Sequence, residues 1–134
     1  MILKTSKLAL IFFIFLLISP SLLASNSHTE AMNNERLHKL IKRIDLQAKG
    51  QLGYWQIQYK NIPVFIITDE NANRMRIISP IESAESINRQ KLYRMMQANF
   101  DSALDARYSI AKDKLWSAYI HPLDELSTKN FILV

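Results

Sequence analysis

Cysteine is absent from this 134-residue chain. That absence removes disulfides, thiol nucleophiles and thiolate metal sites, so the core alone must hold the fold. It also removes the residue on which a lipoprotein anchor is built. Glycine occurs only twice and proline four times, too few for collagen or low-complexity disorder. Two glycines build no glycine-rich phosphate loop. A strong charge of one sign is missing too, with 17 basic against 12 acidic residues. Lys4 and Lys7 sit ahead of a long apolar run, and the remaining basic residues are spread along the chain. The densest cluster, Lys39, Lys42 and Arg43, shares a predicted helix with Glu35 and Asp45 and reads as a solvated face. With no basic stripe interleaved with aromatics, a nucleic-acid partner is not expected.

The longest apolar run lies at the N-terminus. Leu8 to Ile18 is uninterrupted, Ser19-Pro20-Ser21 breaks it, and Leu22-Leu23-Ala24-Ser25 follows. A basic start, an apolar stretch and a breaker ahead of small residues are the parts of a secretory signal. The expectation is a signal peptide over 1–24, cut after Ala24 or, with Ser25 three positions back, after Ser27. The uninterrupted run is about half of the roughly 20 apolar residues that a spanning helix needs. The mature protein is therefore expected to be exported, most simply to the periplasm, with no stable membrane span.

Residues 25–33 are small and polar and are expected to form a flexible linker. One domain is expected over 34–134. Leu37, Leu40, Ile41, Ile44 and Ala48 recur at helical spacing behind Asn33 or Asn34, which predicts a helix to about Ala48, stopped by Lys49-Gly50. Three strands are predicted next, over 54–59, 62–68 and 74–79. Trp55, Ile57 and Tyr59 share one face of the first, and Arg74, Arg76 and Ile78 face away from Met75 and Ile77 in the third. Ser79-Pro80-Ile81-Glu82 has the form of a capping box and predicts a helix start, with Ser83 or Ser86 as later alternatives. That helix carries Ile87, Leu92, Met95, Met96 and Phe100. Residues 106–111 and 115–120 form a predicted hairpin, and a last helix is expected from Leu123 to about Ile132. The fold class is α+β, in the order α-β-β-β-α-β-β-α, with helices packed on an antiparallel sheet. The chain ends on Phe131-Ile132-Leu133-Val134. A helix stripe uses only about half of consecutive positions, so this final helix is expected to be short or truncated and to pack only in part.

Met95-Met96-Gln97-Ala98-Asn99-Phe100, followed by Arg107-Tyr108-Ser109-Ile110 and Leu115-Trp116-Ser117-Ala118-Tyr119, resembles the type III secretion chaperone-like superfamily, which includes sensory-transduction-regulator-like relatives. The element order over about 34–134 is similar as well. The resemblance implies that fold and a non-enzymatic protein-binding scaffold, with a protein partner and a homodimer among its forms. It implies a backbone-bonding role for Asn99 at the helix end. This chain differs from the cytosolic, acidic secretion chaperones in its leader and its basic balance.

No catalytic, cofactor or metal site is expected. His28, His38 and His121 lack metal-ligand spacing. Asp69 and Glu70 occupy a predicted turn, where turn chemistry accounts for them. The candidate contact residues are Arg74 and Arg76, which alternate on one strand face and suit a carboxylate or phosphate fork, together with Trp55 and Trp116. Ion pairing of the arginines with Asp101 and Asp105, and of Asp105 with Arg107, is the competing reading. Tyr59 and Tyr119 complete the aromatic payload. The functional expectation is an exported, chaperone-like protein-binding module of the bacterial envelope. The alternative is a binder of an anionic small molecule or envelope component through the arginine face.

Overall fold

The structure is a computed structural model that describes residues 30–133. The expected leader over 1–24 and most of the expected linker lie outside those residues. The last positions of that linker belong to the folded domain. Met32 is buried and its N–H donates to Asp124 O at 3.1 Å, while Asn33 caps the first helix.

Helix α1 spans Asn34–Ile44. The Asn33 side chain accepts from the Arg36 N–H at 2.9 Å, satisfying one of the free donors of the first turn. Leu37, Leu40 and Ile41 are buried. The helix ends before Ala48, contrary to the periodicity. Asp45 turns extended, and its carboxylate accepts from the Gln47 N–H at 2.8 Å, an aspartate turn that competes with helix. Lys49-Gly50 is consequently not the helix stop. It opens β1 (Lys49–Gln51), a short strand that the sequence reading missed because its three residues carry no apolar alternation. Gly50 holds φ +112, and a Cβ there would lie 2.2 Å from Tyr54 O.

Strands β2 (Tyr54–Tyr59) and β3 (Ile62–Asp69) match expectation and join through Lys60-Asn61, both at positive φ as a two-residue hairpin requires. Strand β4 (Arg74–Ser83) runs on through Ser79-Pro80, where the capping-box pattern predicted a helix. Pro80 is tolerated because the pairing with the next strand shifts register between Pro80 and Glu82. A 3₁₀ turn over Ala84–Ser86 follows. Helix α2 (Arg89–Asp101) begins only after Asn88, whose side chain accepts from the Lys91 N–H at 2.8 Å. Ile87 therefore precedes the helix. Strands β5 (Arg107–Ala111) and β6 (Lys114–His121) form the predicted hairpin. Lys112 and Asp113 take positive φ in place of the usual glycine. The last helix, α3 (Thr128–Leu133), is short and starts later than the expected Leu123, and Leu123 and Leu126 are buried from the loop before it.

The six strands form one antiparallel sheet in the order β1-β2-β3-β4-β6-β5. The architecture is α+β, as the sequence implies, with one extra edge strand. Trp55, Ile66, Met75 and Tyr119 point to one side and are buried with Leu37, Leu40 and Ile41 of α1 and with Leu123, Leu126 and Phe131. Helix α2 lies at the β5–β6 end of that side, where Ala98 and Ser102 line a depression with Tyr108 and Ser117. Among the described residues, no strand residue of the opposite side is buried, and no helix is long and apolar enough to cross a membrane.

Candidate functional site

Alternation along each strand decides what the open side displays. β4 contributes Arg74, Arg76, Ile78 and Pro80 from the middle of the sheet. Asp69 stands opposite Arg74, Ile67 and Ile120 flank Arg76, Phe65 and Ala118 flank Ile78, and Trp116 stands opposite Pro80. Tyr54 and Phe65 have ring centroids 6.2 Å apart, and Phe65 meets Trp116 edge-on at 6.2 Å. The Trp116 indole donates to Ala111 O at 2.9 Å, which fixes the ring across β6 and β5. The face is thus graded, charged at the Asp69/Arg74 end and aromatic at the other.

The four candidate contact residues divide. Arg74, Arg76 and Trp116 share this open face. Trp55 does not, since its side chain is 0% exposed beneath α1 and its indole donates to His38 Nδ1 at 2.9 Å. It is a core residue. Tyr54 and Phe65 take its place on the open face. Their positions, out of phase with Trp55 and Ile66, were the available signal.

The expected ion pairs are not formed. Arg74 donates to Asn73 O at 3.0 Å, and neither arginine pairs with a carboxylate among the described residues. The Arg107 guanidinium goes to the carbonyls of Ala103 and Leu104, because Asp105 precedes the strand instead of sharing its face. Asp105 acts on Tyr119 instead. Burial first, and then this carboxylate, push the Tyr119 phenol above the ordinary tyrosine range. Tyr119 also stacks with His121 at 5.9 Å. Tyr59 sits on the covered side at the sheet end, exposed, with the Lys60 ammonium 5.1 Å from its ring.

Several polar residues from the sequence reading are structural. Glu70 accepts from the Asn34 N–H at 2.8 Å, so the β3–β4 turn caps α1. Asn73 and Asp124 bond reciprocally at 2.7 and 2.9 Å. His121 Nδ1 lies 2.6 Å from Pro122 O. His28 lies outside the described residues. Among those described, no three His, Asp or Glu side chains group to hold a metal. Asn99 bonds backbone, though on β5 and not at its own helix end. It donates to Tyr108 O at 3.0 Å and accepts from Tyr108 N–H at 2.7 Å, so its amide satisfies the outer edge of that strand.

A second set of exposed apolar residues lies on the other side of the sheet. Tyr93, Met96 and Phe100 share one face of α2, and Leu104 and the β5 residues Tyr108 and Ile110 are exposed as well. Phe100 is 90% exposed and Leu104 87%.

No family model and no curated protein matches the sequence. Solved structures do. A chain of the ExsC–ExsE complex aligns at a TM-score of 0.61 with 12% identity, over 76% of this chain and 85% of that one. The fold is type III secretion chaperone-like. The HopA1–SchA chaperone–effector complex (TM-score 0.55, 13% identity, 71% and 77% coverage) places it there again. So does the Yersinia pestis type III secretion chaperone SycH in complex with a fragment of YscM2 (TM-score 0.53, 16% identity, 75% and 87%). The secretion-chaperone-like fold agrees with the resemblance drawn from residues 95–119.

Proposed function

We propose that this chain is a non-enzymatic, chaperone-like module that is exported to the bacterial envelope and holds a partner protein there. The observation that carries the reading is the open side of the sheet, where Tyr54, Phe65, Ile67, Ile78, Trp116 and Ile120 lie on adjoining strands and none of them is buried among the described residues. A continuous apolar surface of this kind is what a partner covers. The neighbouring solved structures are complexes of chaperones with the proteins they bind, which supports the same reading. A second copy of the chain would cover the exposed Tyr93, Met96 and Phe100, which share one face of α2.

The test expresses the whole chain with its leader in a two-membrane bacterium. A mature N-terminus at Ser25 or His28 in the periplasmic fraction supports export; an intact Met1 in the cytoplasm refutes it. Light scattering after size exclusion, with Phe100→Asp as control, decides the dimer. A strict monomer that holds no partner would remove the chaperone reading.

A second reading has its own observation. Arg74 and Arg76 line one depression with Ile67, Thr68, Asp69, Ala72 and Ile120, and two guanidiniums against one carboxylate suit a small anion. Phosphate and dicarboxylates should then raise the melting temperature, since binding only the native state stabilises it. Loss of the shift in Arg76→Gln is the required control.

A further inference from the structure

We infer that the open face takes an extended, acidic segment of a partner polypeptide, with a carboxylate on Arg76 and an apolar anchor on the Phe65–Trp116 pair. This inference rests on the protein-binding reading above and names the chemistry of the partner.

The argument starts from the surroundings of the two arginines. Arg74 stands opposite the Asp69 carboxylate across the β3–β4 pair, so its charge is offset locally. Arg76 has isoleucine on both neighbouring strands, Ile67 and Ile120, and no ion pair among the described residues. It makes no ion pair of its own and is flanked by isoleucines, although Asp69 and Arg74 line the same depression. Any partner that covers Ile67, Ile78 and Ile120 also takes Arg76 out of water. A wholly apolar partner would leave that charge buried and unpaired, which is strongly unfavourable. A carboxylate laid on it forms a charge-assisted fork whose strength rises as water is excluded. One residue therefore attracts the acidic segment and rejects neutral or basic ones.

The spacing follows from the strand. Arg76 and Pro80 lie on the same side of β4, a separation of about 13 Å at strand rise. Trp116 stands opposite Pro80, and Phe65 opposite Ile78. An extended segment that places a carboxylate at Arg76 reaches the aromatic pair about four residues later. Between them Ala118 leaves a low floor beside Ile78. An anionic membrane fits less well. Surface recruitment draws on a cluster of about four to eight basic side chains, whereas this face offers two arginines with Asp69 beside them.

The purified chain is titrated with synthetic peptides of about eight residues that carry glutamate four positions before phenylalanine, and with matched glutamine and lysine versions. Trp116 reports, since the other tryptophan, Trp55, is buried beneath α1. The glutamate peptide should bind about tenfold tighter than the glutamine peptide and shift the emission, and the lysine peptide should be weakest. Arg76→Gln should erase the difference; the residue is exposed and its replacement leaves the core intact. Equal binding of all three peptides, lost in Trp116→Ala, would overturn the acidic segment while leaving the protein-binding face standing. Binding of none of them would overturn both. Phosphatidylglycerol vesicles that shift Trp116 as strongly as the acidic peptide would assign the face to a lipid surface and overturn the proposal.

Discussion

On the covered side of the sheet, Trp55, Ile66, Met75 and Tyr119 are buried under α1 and the final loop and helix. On the open side the same strands carry Tyr54, Phe65, Ile67, Ile78, Trp116 and Ile120, and none of these is buried. Both sides carry apolar residues, but the open side also bears Gln56, Gln58, Asp69, Arg74 and Arg76. The covered side is closed by a set of polar locks. Glu70 caps α1, Thr68 donates to the Asn34 side chain at 2.5 Å, His38 receives the Trp55 indole, and Asn73 and Met32 hold the segment around Asp124. Each lock binds a helix or the C-terminal loop to one side. Among the described residues no lock of this kind holds a helix over the aromatic rings and arginines of the open side, where the proposed partner would lie.

The comparison breaks most directly at the two tryptophans. Trp55→Ala should cost about 3–5 kcal/mol of stability, the range for large core truncations. Trp116→Ala should cost no more than about 1 kcal/mol. Urea unfolding at neutral pH measures both, and equal losses would mean that the open side is already structural. Next in size is Gly50→Ala, which meets both the positive φ and the Tyr54 carbonyl and should destabilise by about 2 kcal/mol or more, read from the shift in denaturation midpoint.

Asn99→Ala sharpens the comparison at the β5 edge. Removing the amide leaves Tyr108 N–H and C=O without their partner. The stability loss should be about 1 kcal/mol, and the strand edge becomes free for pairing. Light scattering across a concentration series should show association beyond that of the native chain; unchanged behaviour would mean that the edge is protected by other means.

Tyr119 marks the covered side at high pH. Its raised phenol value means that the unfolded chain ionises first. Its contribution is therefore whole below the unfolded tyrosine value of about 10 and is lost as pH rises through the folded one. Tyr119→Phe should flatten the alkaline fall in melting temperature. The smallest effect belongs to Glu82. Its hydrogen bond from Lys91, then that from Ser86, holds the carboxyl below the ordinary glutamate range. That contribution is present above the unfolded value of about 4.3 and disappears as pH falls through the folded one. Glu82→Gln should make acid unfolding slightly less steep, without changing the neutral melting temperature much.

Much of this was legible along the chain. The α1 stripe, the β2 and β3 strands and the β5–β6 hairpin depend on short-range periodicity, and residues 95–119 add a resemblance to a known family. The start of α2 was not legible, because Ser79-Pro80-Ile81-Glu82 satisfies a helix cap locally while β6 offers Pro80 and Glu82 a strand partner across a bulge. Strand β1 was not legible either, since Lys49-Gly50-Gln51 is a strand only because Gln56, Trp55 and Tyr54 lie opposite. Of the candidate contacts, Arg74, Arg76 and Trp116 could be grouped by alternation, but Trp55 could not be set apart from them.

The sequence by itself determined which residues share a side of each strand, where the hairpins turn and that α1 is amphipathic, because these follow from periods of two and 3.6 residues within a few positions. Only the tertiary structure decided which side of the sheet is inside. Alternation sorts residues into two faces, and the arginines and glutamines bias one toward solvent. Apolar residues stand on both, however, and the period of two does not say what covers either. The choice is made by bonds between residues far apart in the chain, Asn34 with Glu70 and Asn73 with Asp124. They bring α1 and the C-terminal segment down over Trp55 and leave Arg76 and Trp116 uncovered.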